Sequence, residues 1–222
     1  MVDVSSLYRY RFSEQEQEAK DQIWKVLCGD FFQKYVAPGD TVLDLACGYG
    51  EFIRHISAKR KIAVDINQDT AKRLSAPIEF HLGPANSLEF LPDDTVDVCF
   101  TSNFFEHLPN KQVMNEVLAE VLRVLKPGGK FIAMQPNIRY AYAEYWDFYD
   151  HYIALSHLSA AEGFALAGFE IADLIDRFLP FSTKSRLPKH PALVSAYLRC
   201  PPAWKIFGKQ FLIVGRKPLR RA

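Results

Sequence analysis

Val42-Leu-Asp-Leu-Ala-Cys-Gly-Tyr-Gly50, followed by Ile62-Ala-Val-Asp-Ile-Asn67, decides the fold of this chain. An apolar run ends on Asp44, turns through glycines and enters a helix-like segment from Glu51 to Ser57. A second apolar run then stops at Asp65, 15 residues after Gly50. Strand, tight turn, helix and strand in this order form the opening of a dinucleotide-type α/β fold. Such a fold brings backbone against a ligand and places an acid at the end of its second strand.

The rest of the chain continues the alternation. Residues Ser13 to Val36 read as a helix, with Ser13 and Glu16 as a capping box and Ile23, Val26, Leu27 and Phe31 at helical spacing. Asn67 can cap a short helix to Leu74, and Ile78–Leu82 and Val96–Thr101 read as strands. Asn110 caps a helix from Lys111 to Leu125, with Val113, Val117, Val121 and Val124 on one face. Lys126-Pro-Gly-Gly129 ends it before a strand at Lys130–Met134. A helix at Ser159–Ala167 and late strands at Glu170–Leu174 and Gln210–Gly215 complete the pattern. Strands and helices alternating at these lengths predict a seven-stranded, mostly parallel, Rossmann-like sheet with helices on both faces and the last strand antiparallel.

At 222 residues and 49% hydrophobic content, one domain spanning 1–222 is expected, with 1–37 as an N-terminal helix and lid. Two segments stand outside the alternation. Residues 137–157 are crowded with tyrosine and hold Trp146 and Phe148; residues 181–207 are rich in proline and basic side chains, with a helix expected at Ala192–Leu198. These are read as substrate-side insertions. No stretch approaches the ~18 consecutive apolar residues of a membrane span, and the polar N-terminus lacks the apolar core of a secretory signal. The scattered Cys28, Cys47, Cys99 and Cys200 fit reduced thiols and a cytoplasmic protein. They show no metal-ligand spacing with histidine, and no metal is expected.

The net charge of +1 hides a division. From Arg177 to Ala222 there are 11 basic residues and no acid, leaving 16 basic and 26 acidic residues in the other 176. A basic end on an acidic body concerns partners rather than fold. Lys184, Arg186, Lys189 and Arg199 suit an anionic group, and the apolar side of Ala192–Leu198 suits peripheral contact with a membrane surface.

Val42–Gly50 resembles the first motif of the class I S-adenosylmethionine (SAM) methyltransferases, and Ala63-Val-Asp-Ile-Asn67 resembles the second. Val96–Leu108, Val121–Phe131 and Phe164–Glu170 resemble the fourth-strand, fifth-strand and sixth-strand segments of that family. The resemblance implies SAM as cofactor and S-adenosylhomocysteine as product. It implies roles for Gly48 and Gly50 beside the methionine portion, for Asp44 in ordering the loop or holding the ammonium, and for Asp65 on the ribose. Ile66 is implied against adenine and Asn103 near the methionine end. The sequence departs from the family at Ala46, where the loop's first glycine is usual, and at Pro84, where an acid often holds the adenine amino group. Asn86 or Ser87, with the Ala85 backbone N–H, is expected to take over that contact.

Methyl transfer to a hydroxyl needs alignment and, where the hydroxyl is weakly acidic, a base. His151, in the aromatic segment, and His107, in Glu106-His-Leu108, are the candidate catalytic residues, as base or substrate ligand. His55 and His81 read as structural, His190 as solvated and His157 as a helix-start residue. The expected acceptor is a small-molecule or saccharide-type hydroxyl, including anionic ones. Alternatives are N-methylation, an RNA or protein target, or a SAM-binding partner subunit without activity. No nucleic-acid-binding module is appended, and nothing in the sequence sets the oligomeric state.

Overall fold

β1 (Thr41–Leu45) and β2 (Arg60–Asp65) run parallel, with Asp44 beside Ala63 and Leu45 beside Val64. A computed structural model of the protein describes residues 14–181 and 190–220, which fall into two compact units. The first holds residues 1–84 and 186–201 of the chain, the second 85–185 and 202–222.

In the first unit β3 (Ile78–Leu82) extends the sheet in the order β3-β2-β1. Buried Val42, Leu43, Leu45, Ile62, Ala63 and Val64 make the two inner strands apolar on both faces, as a covered parallel sheet requires. α1 (Glu14–Asp30) and α6 (Pro191–Leu198) pack on one another, joined by a hydrogen bond from the Ser195 hydroxyl to Asp30. Trp24, Leu27, Cys28 and Phe31 form the buried stripe of α1 and its exit, whereas Ile23 and Val26 are only half-buried. Leu27 and Phe31 of the expected stripe are thus buried, and Trp24 and Cys28 take the places expected of Ile23 and Val26. The helix also stops at Asp30, and a separate 3-10 turn at Phe32–Tyr35 replaces its last turn. Trp24, Phe32 and Phe52 interlock with ring centroids 5.9 to 6.3 Å apart, tying α1 to α2 (Glu51–His55). Ser13 of the expected capping box lies outside the described residues, as do Tyr8–Arg11 of the expected N-terminal lid and the basic Lys184, Arg186 and Lys189.

The second unit is a mixed sheet in the order β4-β5-β7-β6. β4 (Val96–Ser102) pairs parallel with β5 (Leu125–Pro136), while β7 (Gln210–Arg216) runs antiparallel to both β5 and β6 (Glu170–Ile175). Seven strands, mostly parallel and reversed only at the last, with helices between them, match the expected Rossmann-like class. α3 (Lys111–Val124) starts at Asn110, whose side chain accepts the Val113 N–H at 3.0 Å. Its buried face is Met114, Val117, Leu118, Val121 and Val124. α5 (His157–Leu166) carries a reciprocal Ser156–Ser159 capping box, placing Ser159 in the first turn rather than at the start. Phe131, Phe164 and Phe169 stack in the core at 5.2 to 5.9 Å. Gly215 lets β7 cross them, because a Cβ there would stand 2.7 Å from a Phe164 ring carbon.

Two helices were not expected. α4 (Ile138–Tyr145) lies inside the aromatic segment, capped by the Asn137 side chain. α7 (Pro201–Phe207) begins on two prolines, which the first turn of a helix tolerates because its N–H groups have no intrahelical partner.

Arg123 on α3 organises the segment before β4. Its guanidinium donates to the Leu88 and Leu91 carbonyls at 3.0 and 2.9 Å and pairs with Glu120 and Asp93 at 2.9 and 2.8 Å. Glu120 also accepts the Leu88 N–H at 2.8 Å. Replacing Arg123 by Ala removes these bonds together, and a loss of ~1–3 kcal/mol is expected, a Tm lower by roughly 2–10 °C. Thermal unfolding checks this, and an unchanged Tm would show that the segment is held by other contacts.

Candidate cofactor loop and acceptor site

The glycine loop is shaped by its own backbone and by Asp65. Ala46, Gly48 and Gly50 all take left-handed φ values, of 54°, 58° and 74°. Glycine adopts this conformation without strain; Ala46 pays for its Cβ there, so the departure from the family's glycine keeps the geometry at a cost of about 1–2 kcal/mol. The space a Cβ would need at Gly50 is filled by Leu74, 2.3 Å away. The second glycine therefore serves φ and close packing within the loop.

Asp65, at the end of β2, accepts the Gly48 N–H on Oδ2 at 2.7 Å and the Asn67 N–H on Oδ1 at 2.8 Å. Each carboxylate oxygen has a second lone-pair direction, so this anchoring role is compatible with further acceptance from a ligand hydroxyl. Thr70 closes the arrangement by donating to the Gly48 carbonyl at 2.6 Å. Asn67 caps a 3-10 turn, Gln68–Lys72, where a short helix was expected. Ile66 projects beside it and is 58% exposed, and Leu82, paired with Asp65 in the strand register, is 55% exposed. An apolar shelf next to a buried acid suits a heterocycle whose ribose meets Asp65. Leu82 was not anticipated, because an outward apolar residue in a short strand carries no signal in sequence.

Asp44 is 3% exposed, and its Oδ2 accepts the Ile53 N–H at 3.3 Å, so it orders the first turn of α2. Burial drives its pKa well above the ordinary carboxylate range, and the charges of Glu51 and Asp65 push the same way against the Ile53 hydrogen bond and Lys20. Burial also raises Asp65, opposed by its backbone hydrogen bonds. Glu51 is paired with Lys20 at 3.0 Å. Buried carboxylates in this setting favour a cationic ligand, and SAM carries both a sulfonium and an ammonium. The loop fits that cofactor.

Asn86, in the second unit, donates its amide to Glu116 at 2.9 Å. That fixes its orientation and leaves Oδ1 as an acceptor, the polarity an adenine amino group requires. Ala85 beside it is buried and Pro84 and Ser87 are exposed. Asn103 holds φ 48° at the end of β4 and donates its N–H to the Met134 carbonyl at 2.9 Å.

The candidate acceptor residues converge in the second unit. Phe105, fully buried against Phe131 and Phe164, anchors the 3-10 turn Phe105–His107. The Phe104 and Phe105 N–H groups donate to Gln135 Oε1 at 2.8 and 3.3 Å. The Glu106 carbonyl accepts the Tyr152 and Ile153 N–H groups at 2.7 and 3.3 Å, drawing residues 150–153 against the turn. His107 Nδ1 then donates to Asp150, 3.0 Å from the carboxylate and 3.1 Å from the carbonyl. The His151 ring lies 5.1 Å from that of His107, stacked on Phe148 at 4.9 Å and tilted against Tyr145 at 4.7 Å. The Tyr145 hydroxyl donates to the Ile153 carbonyl.

Burial opposes protonation of His107, but the Asp150 hydrogen bond and the Glu106 and Asp150 charges outweigh it and hold its pKa above the usual value. Burial pushes Glu106 up to about 7 against the pull of His107. The sequence thus named both histidines and missed the acids beside them. The other four histidines fall elsewhere: His55 pairs with Asp21 at 2.9 Å, His81 lies on β3, His157 accepts the Asn137 amide at 3.0 Å, and His190 caps α6. Of the aromatic segment, Tyr145 and Phe148 meet the cluster. Tyr142, Trp146, Tyr149 and Tyr152 are exposed, and Tyr140 bonds Asp176 at 3.0 Å.

Residues 43–133 match the family model described as a methyltransferase domain. The chain carries a class I SAM-dependent methyltransferase domain. SAM is the cofactor of this class. The chain is 31% identical over 51% of its length to a demethylmenaquinone methyltransferase of Symbiobacterium thermophilum, covering 52% of that protein. It is 34% identical over 41% of its length to a malonyl-[acyl-carrier protein] O-methyltransferase of Serratia marcescens, covering 36% of it. The chain spans about half the length of the curated relatives it matches first. In fold it is similar to a SAM-dependent methyltransferase from Archaeoglobus fulgidus, with a TM-score of 0.67, 19% identity, and coverage of 91% of this chain and 98% of that one. All four cysteines are free, and no helix among the described residues is long and apolar enough to cross a membrane.

The pKa of Asp44 yields a stability prediction. A carboxylate whose folded pKa is raised destabilises the fold once pH exceeds its unfolded value of ~3.9, and the penalty grows until pH reaches the folded value. Asp44→Asn keeps an acceptor for Ile53 and carries no charge. The variant without cofactor is expected to melt at least ~2 °C above wild type near pH 7.5, with the difference closing toward about pH 4. Scanning calorimetry checks this; a lower Tm at neutral pH would contradict it.

Proposed function

We propose that this chain transfers the methyl group of SAM to a hydroxyl oxygen of a small-molecule or saccharide-type acceptor in the cytoplasm. The observation that carries the acceptor assignment is the convergence of His107, oriented by Asp150, with His151 and the buried Glu106. Neutral and acidic groups that accept or share a proton suit an O–H acceptor. On this reading Asp44, Ala46, Gly48, Gly50, Asp65 and Ile66 hold the cofactor, while His107 and His151 meet the acceptor hydroxyl. The names of the relatives span carbon and oxygen acceptors, so the choice of oxygen rests on this chain's own cluster.

SAM, when bound, would supply an electrophilic methyl and leave as S-adenosylhomocysteine, and His107 or His151 would take the proton that the acceptor hydroxyl gives up. The protein's contribution is alignment and exclusion of water. Phe148, Tyr145 and Phe181 wall the His151 ring and supply the dry surface.

Asp65→Ala removes the anchor of the Gly48 N–H as well as the ribose acceptor. A loss of ~1–3 kcal/mol in SAM binding is expected, roughly 5- to 150-fold in Kd. Calorimetric titration with SAM measures it, and affinity equal to wild type would remove Asp65 from the cofactor site.

A further inference from the structure

We propose that Glu106, His107 and His151 together hold a divalent transition-metal cation whose open positions receive the acceptor hydroxyl. The inference rests on the reading of this cluster as the acceptor site, and it runs against the expectation that the chain uses no metal.

One ligand atom from each of the three residues lies within 4.8 Å of the other two. Ligand atoms at about 2.1 Å from a shared ion stand ~3.0–3.5 Å apart, so modest side-chain rotations close the set. Two imidazoles and one carboxylate suit Mn2+, Fe2+, Co2+ or Zn2+ better than Mg2+ or Ca2+, which prefer all-oxygen sites. Three protein ligands leave positions for water or a substrate oxygen, as sites that act on substrate do.

Three further features belong to such a site. Glu106 is only 2% exposed, and its Oε2 is buried with no hydrogen-bond partner among the described residues. An ionised carboxylate oxygen left in that state is costly unless something positive reaches it. Asp150 accepts from His107 Nδ1 at 3.0 Å, which turns Nε2 outward as a ligand and reproduces the carboxylate–histidine–metal relay found behind metal-bound imidazoles. Charge also balances: two carboxylates, Glu106 and Asp150, with two neutral imidazoles require a divalent cation for neutrality.

The turn geometry explains why the three residues meet. Glu106 and His107 are neighbours on a 3-10 turn, and the bonds from the Tyr152 and Ile153 N–H groups to the Glu106 carbonyl bring His151 alongside. No regular spacing in sequence announces such a set, since His151 comes 44 residues after His107.

The test uses the full chain, stripped with a chelator and titrated with Mn2+ while free Mn2+ is followed by electron paramagnetic resonance. Co2+ absorption then reports imidazole ligation. A single ion per chain is expected, with affinity falling at least tenfold in Glu106→Gln and in His151→Asn, and ~10- to 100-fold in the positioning variant Asp150→Asn. Circular dichroism and SAM affinity, measured on the same preparations, show that each variant is folded. Absence of stoichiometric binding by Mn2+, Co2+ and Zn2+ overturns the site, as does full affinity in Glu106→Gln and His151→Asn. SAM binding without metal binding sinks this inference alone; metal binding without SAM binding sinks the transferase reading and leaves the site.

Discussion

The first unit depends on one buried carboxylate. Asp65 is 7% exposed and joins two backbone N–H groups, one from the glycine loop after β1 and one from the turn after β2. Of the loop's N–H groups, that of Gly48 goes to Asp65, that of Cys47 to the Val64 carbonyl and that of Gly50 to the Cys47 carbonyl. The loop's shape, the position of β2's end and the acid's orientation are therefore a single feature. Asp44 does the same one strand over, by accepting from the first turn of α2. Together these acids order the loop's backbone, and burial raises the pKa of both, so a nearby cation would favour their ionised forms.

The second unit solves a different problem, which is to hold polar groups in an apolar setting. A phenylalanine core fixes Phe105, and the next two residues in the chain are then forced to the surface of that core. Glu106 remains buried and His107 is caught by Asp150. Aromatic side chains surround His151 on several sides. The arrangement concentrates two acids and two imidazoles where water is scarce, so their interactions with a proton, a cation or an acceptor oxygen are strong.

Local motifs were the legible part. Asp44, the glycines and Asp65 could be read because strand, turn and acid are set by neighbours within about twenty residues, and helix caps such as Asn110 and Asn67 declared themselves for the same reason. On α1, Leu27 and Phe31 were legible, but Trp24 and Cys28 fill the rest of the buried face in place of Ile23 and Val26, with Trp24 set by its aromatic partners Phe32 and Phe52. α4 stayed hidden because tyrosines are indifferent helix formers, and α7 because paired prolines look like a break when they in fact occupy a first turn. Glu106 and Asp150 each stand beside a histidine that was named. Their involvement depends on two loops meeting through backbone bonds, and no local pattern records that.

On the proposed reading, the buried acids of the glycine loop serve a cationic cofactor. Asp44, with its pKa raised by burial and by neighbouring acids, should hold a proton more often in the free protein than beside a sulfonium and an ammonium. Titrating the chain with SAM near neutral pH, in buffers of different ionisation enthalpy, measures the protons exchanged on binding. Binding is expected with net proton release that disappears in Asp44→Asn. Binding with no proton release, or no binding at all, would contradict that reading.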